Sequence, residues 1–65
     1  MFNHKRLSLA RKRRGLSGKA LSVKAELSAI TISRLEKGEN QPDEATVHKL
    51  CRALRFPSSF IFDDD

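Results

Sequence analysis

The chain is 65 residues long, 32% charged and 38% hydrophobic, with a net charge of +5. At this length only about 60% of the unfolded chain's surface can be buried, which allows one small domain with a marginal core. A single cysteine, Cys51, excludes an internal disulfide framework. Cys51, His4 and His48 lack zinc-site spacing, so no metal or other cofactor is expected. Hydrophobic packing must therefore hold the fold, with a second chain as a further source of stability. No apolar run approaches the ~20 residues that span a bilayer, and the first residues do not read as a signal peptide. The expected setting is the reducing cytoplasm, in association with the nucleoid for a chain this basic.

Alternating β-branched runs are absent, so five helices and no strand are expected. The first helix is predicted from about His4 to Arg14, with Leu7 and Ala10 on one face and Arg11 and Arg14 continuing it. Gly15 fits the left-handed position that closes a helix. Ser17 is the N-cap of a second helix, preceded by Leu16 and carrying Leu21 and Ala25 at helical spacing. This helix is expected to end near Ala25. Ser28 caps a third helix, preceded by Leu27; Ile32 and Leu35 supply its buried face and Gly38 stops it. The loop Glu39–Pro42 leads to a fourth helix with Asp43 as N-cap and Glu44 favoured by the helix dipole. Val47, Leu50, Cys51 and Leu54 form its apolar stripe, and Arg52 and Arg55 sit at its cation-favouring end. Pro57 is placed in the first turn of a short fifth helix, with Phe60 and Phe62 after it.

Charge divides the chain. Residues 1–37 hold ten Lys/Arg against two acids, Glu26 and Glu36, while residues 38–65 hold three against six. One end is thus suited to a polyanion, although a basic surface can equally serve solubility. The second and third helices are joined by only about Glu26–Leu27, and so tight a turn sets two helices at a steep angle. Leu16, Leu21, Leu27, Ile32 and Leu35 then converge, with the small Ser22 where the helices approach most closely. This layout is how a small basic protein puts a helix into the major groove of double-stranded DNA.

The pattern Leu16, Ser17, Leu21, Ser22, Leu27, Ser28, Ile32, Ser33, Arg34, Leu35, Glu36 and Gly38 resembles the phage-repressor type of helix-turn-helix, the Cro/repressor-like or Xre family. Pro42, Thr46, Val47, Lys49, Leu50, Ala53 and Leu54 match that family's fourth helix. The resemblance spans nearly the whole chain, with the helix-turn-helix proper at about 17–37. It implies an all-α, compact five-helix bundle of the lambda-repressor-like kind, whose third helix enters the major groove. It implies an ion pair between Arg11 and Glu36, where the alternative is a Glu36 that pairs within its own helix. It places Ala29, Ile30, Thr31 and Arg34 toward bases. Ala29 and Ile30 can pack on thymine methyl groups, Arg34 can take guanine in a bidentate contact, and Thr31 and Ser33 can reach bases or phosphates. Ser17, Lys19, Ser28, Ser33, Lys37, Asn40 and Gln41 are expected at the DNA backbone. The run Arg11–Arg14 adds a general electrostatic pull, or is a solvated helix end. The alternative for Ile30 is a contact for another protein, or simply an exposed aliphatic.

Three positions depart from the family pattern. Gly18 stands where a backbone-contacting Gln is frequent, and Glu26 and Arg55 stand where Gly often closes a helix. If those two sites need positive φ, each costs on the order of 1 kcal/mol. Phe2, Phe56, Phe60 and Phe62 lie near the ends. They read as a satellite core that ties the termini together, or as a dimer surface. The opening residues and the segment Phe56–Phe62 also resemble regulators that continue into a zinc metallopeptidase-like domain of the ImmA/IrrE type. No HExxH motif is present, so no catalytic role transfers. The expected function is a sequence-specific DNA-binding transcriptional regulator, a repressor acting as a homodimer, with no enzymatic activity. The alternative is a protein-interaction module on the same fold with weakened DNA contacts.

Overall fold

A computed structural model describes residues 1–62 as five helices: α1 (His4–Arg13), α2 (Gly18–Ala25), α3 (Ala29–Glu36), α4 (Glu44–Leu54) and α5 (Ser58–Ile61). Among the described residues there is no strand, only an isolated antiparallel bridge between Phe2 and Phe62. The core takes two residues from most helices: Leu7 and Ala10, Leu21 and Ala25, Ile32 and Leu35, Leu50 and Leu54, closed by Ile61 and Phe2. α2 packs on α3 and α4, α1 on α3 and α5, and α4 on α5. Ser22 is buried with its hydroxyl donating to the Lys19 carbonyl at 2.6 Å, so the tight α2 interior holds no orphan polar group.

The corners are built by one device used twice. At the end of α1, Gly15 (φ +67°) is left-handed, with Leu16 N–H donating to Arg11 O and Gly15 N–H to Lys12 O. At the end of α2, Glu26 (φ +59°) takes the same role, with Leu27 N–H to Ser22 O and its own N–H to Val23 O. Both are Schellman closures. In each the next residue, Leu16 or Leu27, packs against the core, and the serine after it caps the following helix. Ser17 accepts from Ala20 N–H and Ser28 from Thr31 N–H, both at 3.0 Å. Gly-Leu-Ser and Glu-Leu-Ser are therefore the same corner, the second with a side chain where the geometry favours none.

Several details differ from the sequence expectation. α1 closes at Arg13, with Arg14 as its C-cap, and its N-cap is Asn3, whose side chain accepts from Lys5 and Arg6 N–H. Pro57 is the N-cap residue of α5 and not part of its first turn. Arg55 lies past the end of α4 at φ +58°, in a glycine-like conformation. Arg14 supports that end: its guanidinium donates to Leu54 O at 2.7 Å and Arg55 O at 3.0 Å while lying 4.4 Å over the Phe56 ring. Phe56 stacks on Phe60, whose other neighbours are the guanidinium groups of Arg6 and Arg13. Phe2 meets Phe62 edge to face. Phe2 and Phe62 thus join the two ends of the described chain, while Phe60 lies against Arg6 and Arg13 on the flank of α1 opposite α3.

Relieving the left-handed strain at Glu26 has a measurable result. Glu26→Gly is expected to stabilise the protein by about 1 kcal/mol, raising the thermal midpoint by about 4–8 °C. A midpoint that stays put or falls in a thermal melt contradicts the corner described above.

Candidate nucleic-acid interface

α3 is two turns long; besides its buried Ile32 and Leu35, it is held from behind by polar contacts at one residue, Glu36. Arg11 Nε donates to Glu36 Oε2 at 2.6 Å, and Arg11 Nη2 to Oε1 at 3.0 Å. The Ser8 hydroxyl donates to the same Oε1 at 2.7 Å. A further Arg11 nitrogen, Nη1, donates to Leu16 O, so one guanidinium joins α1, α3 and the corner between α1 and α2. The His4 ring lies with Nδ1 3.0 Å from the Glu36 carbonyl oxygen, which can only accept, so Nδ1 carries the proton. His4, Ser8 and Arg11 are spaced i, i+4, i+7 and form one stripe of α1.

The ion pair is largely withdrawn from water, its side chains 17% and 13% exposed. Burial on its own would raise the Glu36 carboxyl. The hydrogen bonds from Arg11 and Ser8, with the positive charges of Arg11 and Lys12, outweigh it and hold the group below the usual carboxylate range. The hydrogen bond to Glu36 in turn raises Arg11. At Cys51 burial pushes the thiol up, away from the thiolate that a nucleophile requires.

With Ile32 and Leu35 buried, the opposite side of α3 is open. At roughly 100° per residue, Ile30, Arg34 and Lys37 fall on one outward stripe with Ser33 beside it and Ala29 on its flank. All five are exposed, Ile30 by 64%. Thr31 is placed differently. It is half-buried on the core-side rim, and its Oγ1 accepts from the Ser28 hydroxyl at 2.8 Å. Ser28 and Thr31 are thus joined to each other in the α3 cap, and the structure does not bring Thr31 onto the stripe of Ile30 and Arg34. Ser17 and Lys19 are exposed at the start of α2, and Asn40 and Gln41 are exposed in the loop after α3. A Cβ at Gly18 would meet open space.

The basic run of α1 divides by function. Arg11 is consumed by Glu36 and Arg14 by the end of α4, which leaves Lys12 and Arg13 of the run exposed without a role in these two joints. His4 and Ser8 carry no mark in the sequence beyond their helical spacing to Arg11, and reading them as partners of Glu36 requires the packing of α1 on α3.

The helix-turn-helix domain family matches residues 5–59, and the chain belongs to that family. Its fold is similar to that of the restriction-modification controller protein C.AhdI from Aeromonas hydrophila (25% identity, TM-score 0.87), covering 91% of this chain and 89% of that one. It is similar to an HTH_3 family transcriptional regulator from Vibrio cholerae at 32% identity and TM-score 0.86, covering 95% of this chain and 35% of that one. The chain therefore spans about a third of that regulator's length. A third likeness, of fold alone, is to the DNA-binding domain of the P22 C2 repressor: 23% identity, TM-score 0.89, 100% of this chain and 86% of that one. No curated protein sequence gives a match. The chain is a helix-turn-helix domain with an all-helical fold like that of these regulators. Among the described residues no helix is long and apolar enough to cross a membrane.

The clamp makes stability depend on acid. Because the folded-state Glu36 pKa is depressed, its contribution is full above the unfolded-chain value of about 4.3 and is lost as pH falls through the folded value. Asp43 is also lowered, by its hydrogen bonds to Thr46, and adds an acid dependence of its own. The difference between wild type and Glu36→Gln therefore isolates Glu36. In denaturant unfolding the variant is expected to be less stable by about 1.5–3 kcal/mol near pH 7, with the gap closing as pH falls through the depressed folded-state value. A gap that is constant with pH contradicts the ionised clamp.

Proposed function

We propose that residues 1–65 act as one DNA-binding domain of a transcriptional regulator, which binds double-stranded DNA sequence-selectively by laying α3 in the major groove. The observation that carries this reading is the outward stripe of α3: Ile30, Ser33, Arg34 and Lys37 exposed on a helix whose other side is anchored in the core. In this reading Arg34 reads guanine, and Ala29 and Ile30 pack on thymine methyl groups. Thr31, joined to Ser28 on the rim, has a lesser part at the bases. Ser17, Lys19, Ser28, Ser33, Lys37, Asn40 and Gln41 lie at the sugar–phosphate backbone. By helix geometry the Gly18 and Lys19 amides lack intrahelical acceptors and suit a phosphate oxygen.

One α3 reads only a few base pairs, so a homodimer on a two-fold site, repressing by occupancy at the nucleoid in the cytoplasm, completes the proposal. Similarity to a controller protein, a transcriptional regulator and a repressor DNA-binding domain supports it. The greater length of the Vibrio cholerae regulator, of which 35% is covered, is compatible with a C-terminal partner domain of the ImmA/IrrE type after the Phe56–Phe62 segment.

Selection from a random duplex library followed by gel shifts tests the reading. Lys37→Ala is expected to weaken binding to all sequences alike and to flatten the log–log salt slope by about 0.9. Arg34→Ala should cost about 1–3 kcal/mol at one base-pair position, and the double variant should abolish retention. If the wild type is not retained at low salt, DNA binding fails and the interaction-module reading, favoured by the exposed Ile30, takes its place.

Gly18→Gln offers a gain-of-function check. The open space at Gly18 admits the side chain. The variant is expected to tighten DNA binding several-fold through a new backbone hydrogen bond of about 1 kcal/mol. Unchanged affinity in the same gel shift removes Gly18 from the interface.

A further inference from the structure

The DNA-facing stripe ends where α3 ends, and that end is closed by a residue from outside the helix-turn-helix. The last four carbonyls of a helix lack intrahelical donors. At α3, Lys37, Gly38 and Glu39 N–H groups return to Ser33, Leu35 and Arg34 oxygens. The Glu36 carbonyl is the one met by the His4 ring, 32 residues earlier in the chain. The same ring covers Gly38. A Cβ built on Gly38 would lie 2.9 Å from His4 Cδ2, closer than real Cβ contacts, and 3.1 Å from Nε2, so the ring would have to shift to admit it. Gly38 is thus constrained twice, by its φ of +78° and by the imidazole above it.

We propose that His4 is a positioning residue for DNA recognition, fixing the path from Arg34 through Lys37 into the loop that carries Asn40 and Gln41. The proposal rests on the reading of α3 as the helix that meets DNA. Ser8 and Arg11 hold the Glu36 carboxylate and so set the distance between α1 and α3. His4 holds the main chain one peptide from the turn and so sets the direction in which the chain leaves α3. Without it the two-turn helix keeps its carboxylate anchor, while the Lys37–Gly38 peptide gains freedom to tilt.

The test compares wild type, His4→Ala and His4→Asn, whose amide donor stands close to where Nδ1 stood. Amide hydrogen exchange reads the clamp without DNA, and binding to the selected site and to random duplex reads its consequence. His4→Ala is expected to speed exchange at Lys37, Gly38 and Glu39 about three- to ten-fold, the equivalent of one lost hydrogen bond, with smaller changes at Leu21 and Leu50. It is also expected to weaken selected-site binding by about the same factor, with random-duplex affinity and salt slope unchanged. His4→Asn should restore most of both.

A uniform rise in exchange along the chain, or equal losses on both duplexes, reduces His4 to a general stabiliser and overturns the proposal. Unchanged exchange at Lys37–Glu39 overturns it as well. A wild type that binds neither duplex overturns the DNA reading and the recognition role with it, and the exchange data still show whether the clamp itself exists.

Discussion

The Glu36 carboxylate is the constraint on which the arrangement depends. α3 has eight residues and only two buried side chains, Ile32 and Leu35. A helix that short is not stable alone, and two apolar anchors do not by themselves prevent rocking about its axis. The bidentate contact of Arg11 and the hydroxyl of Ser8 supply a third, directional anchor, and Arg11 extends it to the Leu16 carbonyl. Replacing such a pair by apolar groups of similar volume can be neutral for stability, whereas removing one partner leaves an uncompensated charge. Its value here is geometric: it presents one face of α3 outward in one orientation.

α1 is the frame for this. One flank, His4–Ser8–Arg11, faces α3, and the other, Arg6 and Arg13, lies over Phe60. The middle buries Leu7 and Ala10 and ends in Arg14, which supplies donors to the strained end of α4. Arg6, Arg11 and Arg13 of α1 thus each have a structural partner, while Lys5 and Lys12 are exposed. The Gly15–Leu16–Ser17 corner and its Glu26 counterpart do the rest, turning the chain twice by the same hydrogen-bond pattern. They bring α2 against α3 with its N-terminus exposed beside the outward stripe.

Much of this is legible in the sequence because it is local. N-caps at Ser17, Ser28 and Asp43, closures at Gly15 and Gly38, and apolar residues at helical spacing each involve neighbours within a turn. Glu26 and Arg55 are legible too, as residues occupying glycine-like corners. Arg11 and Glu36 stand out as opposite charges that the family pattern brings together. What escaped is what long-range packing decides. Arg14 reads as one of four similar cations until α4 is packed beside it. His4 reads as an isolated histidine until the end of α3 lies beneath it. Pro57 stands one residue before the first turn its preference suggests, as the N-cap of α5.

The central claim is that the outer stripe of α3, with the start of α2 and the loop after Gly38, meets DNA. Titrating the isotopically labelled protein with its selected duplex, and following backbone amide shifts by NMR, tests it residue by residue. The account predicts the largest changes at 17–20, at Ala29, Ile30, Ser33, Arg34 and Lys37, and at 38–41, with α5 unaffected except where two copies meet. Changes centred on α4 and α5, with α3 unmoved, would contradict it.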